Sequence, residues 1–168
     1  MEILHTPWRR KYVVSARDYE GCLFCDLLAP VGDDEARYIL QRSATACLML
    51  NTYPYTPGHL MAVPMRHASS TREMPREEWM ELLELCRRGE WLLRRAYGCR
   101  SVHIGANLGA AAGAGVPEHL HFHVVAWPEE PLWSQCRTAA DAPESLADSY
   151  RRLRELLDEA VDPPGGVH

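Results

Sequence analysis

Two periodicities run through the chain. Residues Pro75–Tyr97 repeat at helical spacing, with Trp79, Leu82, Leu83, Cys86 and Leu93 near one face. Pro75 suits a first helical turn, Glu77 and Glu78 favour the positive N-terminal end, and Gly98 supplies a stop. A second helix is predicted from Ala142 to about Ala160. Asp141 and Glu144 form its capping box, and Leu146, Tyr150, Leu153 and Leu157 its apolar stripe. Shorter apolar stretches read as strands: Ala36–Gln41, Thr45–Leu50, Leu60–Val63 and Ser101–Ala106. The pattern predicts an α+β fold, an antiparallel sheet with two main helices segregated around it. One domain over 1–168 is expected, with an N-terminal arm over 1–35, a core over 36–161 and a tail over 162–168.

A different alternation stands out over Glu118-His119-Leu120-His121-Phe122-His123-Val124-Val125. Period two is the signature of a half-buried strand, and it places His119, His121 and His123 on one face. Leu120, Phe122 and Val124 take the other face, toward a core. Alternate residues on a strand lie roughly 7 Å apart, so the outer histidines are roughly 14 Å apart. One metal can reach two neighbours but hardly all three, so the histidines are expected to have separate tasks.

Composition narrows the classes. At 168 residues the chain is long enough to bury a sizeable core. A formal charge of −5 argues against a broad basic surface for duplex nucleic acid. The sequence has no apolar run long enough for a membrane helix and no signal-peptide layout at Met1–His5, so a cytoplasmic protein is expected. In such a reducing compartment Cys47, Cys86, Cys99 and Cys136 read as small, buried or half-buried residues and not as disulfides.

Three stretches carry candidate chemistry. Cys22-Leu23-Phe24-Cys25 has the spacing of a two-thiolate bite for zinc, a spacing also used by redox pairs. It follows the turn-like run Asp18–Gly21, where a redox pair would follow a strand. Asn51–His59 is a turn-rich connection in which Asn51 can bond its own backbone. Asn107–Pro117 is a small-residue loop with three glycines. Such a loop is either a flexible connection or a place where backbone N–H groups approach phosphate. It is not a Walker loop, since no Gly-Lys-Ser/Thr follows.

His119-Leu-His121-Phe-His123-Val-Val fills every position of the histidine triad pattern His-φ-His-φ-His-φ-φ, where φ is apolar. From Trp8 to the C-terminal helix the chain resembles the histidine triad (HIT) family. The likeness is to zinc-containing bacterial and archaeal members and to the dinucleoside polyphosphate hydrolase branch. The resemblance implies a structural zinc held by Cys22, Cys25, His67 and His119. It implies a nucleotidyl-histidine on His121, with His123 and the Pro-Gly-His histidine, His59, assisting. Asn51 would contact the ribose. Asn107, Gly113, Ala114, Gly115, Val116 and His123 would hold the phosphates of an adenosine-type nucleotide. A homodimer is implied too, to which Trp79 and Trp91 could contribute. The expected reaction is nucleotidyl transfer to water from a dinucleoside polyphosphate. Phosphorolysis and phosphoramidate cleavage are the alternatives, and a zinc-stabilised nucleotide-binding module is the alternative from another class. The chain departs from the family after the triad: Trp127-Pro128-Glu129-Glu130 stands where close relatives have Pro-Arg-Trp and a later Gly-Asp-x-Asn-Phe.

Overall fold

The computed structural model describes residues 19–127 and 144–159. A short helix α1 (Leu23–Leu28) is followed by strands β1 (Ile39–Arg42), β2 (Ala46–Leu50) and β3 (Leu60–Pro64). Then come the long helix α2 (Arg76–Tyr97), strands β4 (Ser101–Gly105) and β5 (Phe122–Trp127), and helix α3 (Leu146–Glu159). The strands form one antiparallel sheet in the order β1-β2-β3-β5-β4. This is the expected α+β arrangement, with a third, short helix that the sequence reading treated as part of the N-terminal arm.

Alternation along the central strands separates two apolar layers. Ala46, Leu48, Leu50, Leu60, Ala62, Leu120 and Val124 pack with Leu82, Leu85, Leu92 and Leu93 of α2 and with Leu153 and Leu157 of α3. Cys47, Met49, Met61 and Val63 point the other way, into a layer with Phe24 and Leu28 of α1 and with Val116. Strands β2 and β3 are buried throughout because both faces are covered. Each fully buried Leu or Met contributes roughly 1.5–3 kcal/mol of transfer free energy. The α2 layer is the larger of the two, and the α1 layer covers the opposite face of the sheet.

Helix α2 begins after Pro75 and ends on Gly98, whose N–H bonds the Arg94 carbonyl at 3.0 Å. Its buried face holds Leu82, Cys86 and Leu93 as predicted, together with Leu85, Gly89 and Leu92, while Trp79 and Leu83 are half-buried at its margin. Gly89 is there for close approach: a Cβ at this position would lie 3.4 Å from both Leu60 and Val124 side chains. The helix therefore rests directly on β3 and β5. Trp79 packs edge-on against Phe122 with ring centroids 5.6 Å apart, and Trp91 packs against the same core.

Other boundaries differ for local reasons. β1 starts at Ile39, since Ala36–Tyr38 are a turn in which Tyr38 has φ 55°. Helix α3 starts at Leu146, and its cap is Ser145 with Asp148: the Ser145 Oγ accepts the Asp148 N–H at 3.1 Å. Glu144, expected in the capping box, instead pairs with Arg152 at 2.9 Å. Asp141 lies outside the described residues, as do Trp8, Cys136, Glu129, Glu130 and the tail. The 30–35 linker is organised by two arginines. Arg37 donates to the carbonyls of Leu27, Ala29 and Val31, and Arg42 to that of Leu28 while pairing with Asp34 at 2.8 Å. Together they satisfy the C-terminal carbonyls of α1, which a helix cannot bond internally.

Candidate active site

The histidine strand begins later than its alternation suggests. Only Phe122 onward pairs as β5, with Ala62 opposite Phe122 and Met61 opposite His123. His119 and His121 precede the ladder, His119 in a bend that follows a turn at 117–118, and the Leu120 N–H bonds the Ala68 carbonyl at 2.6 Å. The shared face nevertheless holds. His119, His121 and His123 are all buried, and the rings of His121 and His123 approach to 5.0 Å between centroids. That is closer than the spacing of alternate Cα atoms on a strand, because the rings turn toward each other.

Hydrogen bonds fix the tautomers. His121 Nδ1–H donates to the carbonyl of His119 at 2.8 Å. In the neutral imidazole this places the lone pair on Nε2. His59 is fully buried, and its Nδ1 accepts the Tyr55 N–H at 3.1 Å. Its proton is then on Nε2, which donates to His123 Nδ1 at 2.9 Å. His123 in turn carries its proton on Nε2. One relay thus runs from the Tyr55 backbone through His59 to His123 and leaves Nε2 of His123 as a donor, while the His119 carbonyl separately leaves Nε2 of His121 as an acceptor. The Tyr55 ring stacks on His59 at 4.8 Å and holds it in plane.

Cys22, Cys25, His67 and His119 converge as the sequence reading expected. Their ligand atoms all lie within 4.8 Å of one another. Cys22 Sγ is 3.2 Å from His119 Nδ1, and Cys25 Sγ is 3.3 Å from His67 Nδ1 and 3.6 Å from His119 Nδ1. A tetrahedral zinc with its usual bond lengths has sulfur–nitrogen edges of about 3.5 Å, so the residues fit. His119 Nε2–H donates to the Pro64 carbonyl at 2.9 Å, which leaves Nδ1 as the ligating nitrogen. Burial pushes the His119 pKa down, which favours the neutral, ligating ring. Burial, with Cys22 alongside, pushes the Cys25 thiol up to about 11. A bound cation reverses that balance and makes the thiolate the stable form.

A cavity of about 120 Å³ opens between α1, the 36–38 turn and the ends of β2 and β3. Leu23, Phe24, Leu27, Met49 and Met61 give it apolar walls, and Asn51 stands on its lining. None of these five apolar residues is a predicted site residue, although Leu23 and Phe24 between the two cysteines are conspicuous apolar neighbours of a ligand pair. Asn51 is buried and its Oδ1 accepts the Tyr53 N–H at 2.8 Å, the turn role that was the alternative to a ribose contact.

The small-residue loop docks beside this face. Ala110–Ala112 form a single 3-10 turn bounded by Gly109 (φ 84°) and Gly113 (φ 91°), where a side chain would be strained. The amides of Gly113 and Ala114 donate to Ala110 and Gly109 carbonyls at 3.0 and 3.3 Å. The Asn107 amide nitrogen sits against Gly113, 3.7 Å from where a Cβ would be. Val116 is buried in the Phe24 layer, and its carbonyl accepts the His119 N–H at 3.4 Å. The loop is thereby tied to the histidines that follow it.

A buried histidine relay on the face of a five-stranded antiparallel sheet opposite the long helix defines a histidine triad fold. A model of the HIT domain matches residues 34–129, and the chain belongs to this family. It is 32% identical over 141 residues to the AP-4-A phosphorylase of Mycobacterium tuberculosis, covering 79% of this chain and 69% of that one. It is 28% identical over 110 residues to the adenosine 5'-monophosphoramidase of Schizosaccharomyces pombe, covering 66% and 77%. A zinc-bound histidine triad family protein of Mycobacterium smegmatis superposes with a TM-score of 0.67 at 22% identity, over 83% of this chain and 97% of that one.

Proposed function

We propose that the protein is a nucleotidyl transferase acting on dinucleoside polyphosphates such as diadenosine tetraphosphate. The observation that carries this is the bond from His121 Nδ1–H to the His119 carbonyl, which presents Nε2 as nucleophile. His121 Nε2 forms a bond to the α-phosphorus, and the bond from that phosphorus to the bridging oxygen breaks. The polyphosphate departs as its anion, its leaving oxygen held by a hydrogen bond from His123 Nε2–H, which His59 keeps oriented and which stays on His123 throughout. An acceptor oxygen then attacks the same phosphorus, the phosphorus–nitrogen bond breaks, and His121 is regenerated.

The nucleoside occupies the apolar cavity, with Asn51 at the ribose. Two of the loop amides are used internally, so we assign phosphate contact to the Gly115 and Val116 amides, with the Asn107 side chain. The likeness to a phosphorylase favours orthophosphate as acceptor over water. Products decide this. Phosphorolysis of diadenosine tetraphosphate gives ADP and ATP, and hydrolysis gives AMP and ATP. Accumulation of AMP in saturating orthophosphate would overturn the phosphate assignment, and no loss of any nucleotide substrate would leave a binding module.

The Cys22, Cys25, His67, His119 cluster fits zinc, and a zinc-bound relative in fold supports that choice. Four protein ligands leave no position for a water nucleophile, so the ion serves structure and supplies no reacting group. It joins the N-terminal arm to the end of β3 and to the triad. We place the protein in the cytoplasm, where the cluster's thiols stay reduced. No helix among the described residues is long and apolar enough to cross a membrane. We also propose a homodimer. Strand β4 is a sheet edge, and it and the neighbouring residues expose Ile104, Leu108 and Trp127, a surface better suited to a second copy than Trp79 and Trp91 on the core side.

A further inference from the structure

Resting on the reading of His121 as nucleophile, we propose that Phe24 is a positioning residue that transmits the placement of the metal cluster to the reacting imidazole. Phe24 lies between the two cysteine ligands and is buried. Its ring centroid is 4.9 Å from that of His121, tilted by 45°, and 5.5 Å from that of His119, edge-on at 61°. It therefore touches a metal-cluster residue and the nucleophile at once, and it also walls the cavity.

Helix α1 cannot hold this ring by its own stability. It is six residues long, well below the length at which an isolated helix persists. It is clamped at both ends instead. Cys22 and Cys25 fix its N-terminal end in the cluster, while Arg37 and Arg42 capture the carbonyls of its C-terminal end. The His119 carbonyl fixes one nitrogen of His121 but leaves the ring able to tilt about that bond. The face of Phe24 blocks the tilt. Releasing the cysteines lets Phe24 withdraw, and His121 then departs from the line of attack while every residue of the relay is still present.

A base-wall role alone would change substrate affinity and nothing else, which makes the proposal testable. Phe24→Leu and Phe24→Ala are prepared in zinc-loaded protein, and zinc content is confirmed by elemental analysis. Two quantities are read: the rate of nucleotidyl-enzyme formation at saturating diadenosine tetraphosphate, and the NMR resonance of the His121 Nδ1–H without substrate. Phe24→Leu is expected to keep zinc and slow formation at saturation by about a hundred-fold, the scale of a misplacement near 1 Å. The Nδ1–H resonance is expected to broaden or vanish, in this variant and in chelated wild type alike. If Phe24→Ala does not fold, Phe24→Leu decides. An unchanged saturating rate and resonance with a raised KM would overturn the proposal and leave Phe24 as cavity wall. Should the wild type form no nucleotidyl-enzyme, the reaction assignment fails, while the resonance comparison still judges Phe24.

Discussion

His119 turns its ring nitrogen Nδ1 to Cys22 at 3.2 Å and offers its own carbonyl to His121 Nδ1 at 2.8 Å. One residue thus belongs to the candidate metal cluster through its side chain and to the proposed nucleophile through its backbone. Metal and chemistry are separate in atoms yet joined in geometry.

Removing one ligand should therefore have two effects. Cys22→Ser is expected to bind zinc at least about ten-fold more weakly and to melt at lower temperature. The folded fraction should retain turnover, reduced roughly ten- to a hundred-fold because the nucleophile is less well held. Elemental analysis, thermal unfolding and steady-state rates measured on the same sample check this.

The His59 relay predicts a dependence on leaving group. His59→Asn breaks the bond to His123 Nδ1, and transfer from diadenosine tetraphosphate should fall by about 10²-fold or more. A substrate whose leaving group departs without help from that hydrogen bond should be much less affected. Equal losses on both substrates would show that His59 acts only on the fold.

The close approach at Gly89 predicts a stability effect remote from the site. Gly89→Leu would force α2 off β3 and β5 and should cost about 1–3 kcal/mol or more in urea unfolding. Gly89→Ala places one methyl at the contact limit, and there the gain in helix propensity of about 1 kcal/mol offsets the crowding.

Acid should loosen the tether of α1. Hydrogen bonding to Arg42 holds the Asp34 carboxyl below its ordinary value. A lowered folded pKa means that the contribution is fully present above about pH 4 and is lost as the pH falls through the folded value. The urea midpoints of wild type and Asp34→Asn should differ at neutral pH and converge as the pH falls through the lowered folded value. A gap that stays constant over that range would contradict the assignment.

Much of the molecule was legible in the sequence, and the exceptions have physical reasons. The period-two pattern of His119–Val125 predicts one histidine face, and His119, His121 and His123 are buried together although only Phe122 onward pairs as a strand. Helix α2 is readable from Pro75 and Gly98, and Leu82, Cys86 and Leu93 of its predicted face are buried; Leu85 and Leu92 widen that face around Gly89, which has no side chain to mark it. Helix α1 has one turn and a half of sequence and owes its place to cluster residues and arginines distant in the chain, so no local pattern announces it. The cavity was hidden for the same reason: its walls come from α1, β2 and β3, and Met49 and Met61 read as ordinary strand residues. Arg37 and Arg42 bond backbone carbonyls, which carry no sequence signature.

The most direct test of the account is to trap the reaction by rapid acid quench and map the adduct. Wild-type protein mixed with diadenosine tetraphosphate should carry an adenylyl group on the peptide containing His121, formed at least as fast as turnover. His121→Asn should keep its zinc and fold, form no adduct, and lose turnover by about 10⁴-fold or more. An adduct on another residue, or undiminished turnover in His121→Asn, would contradict the central claim.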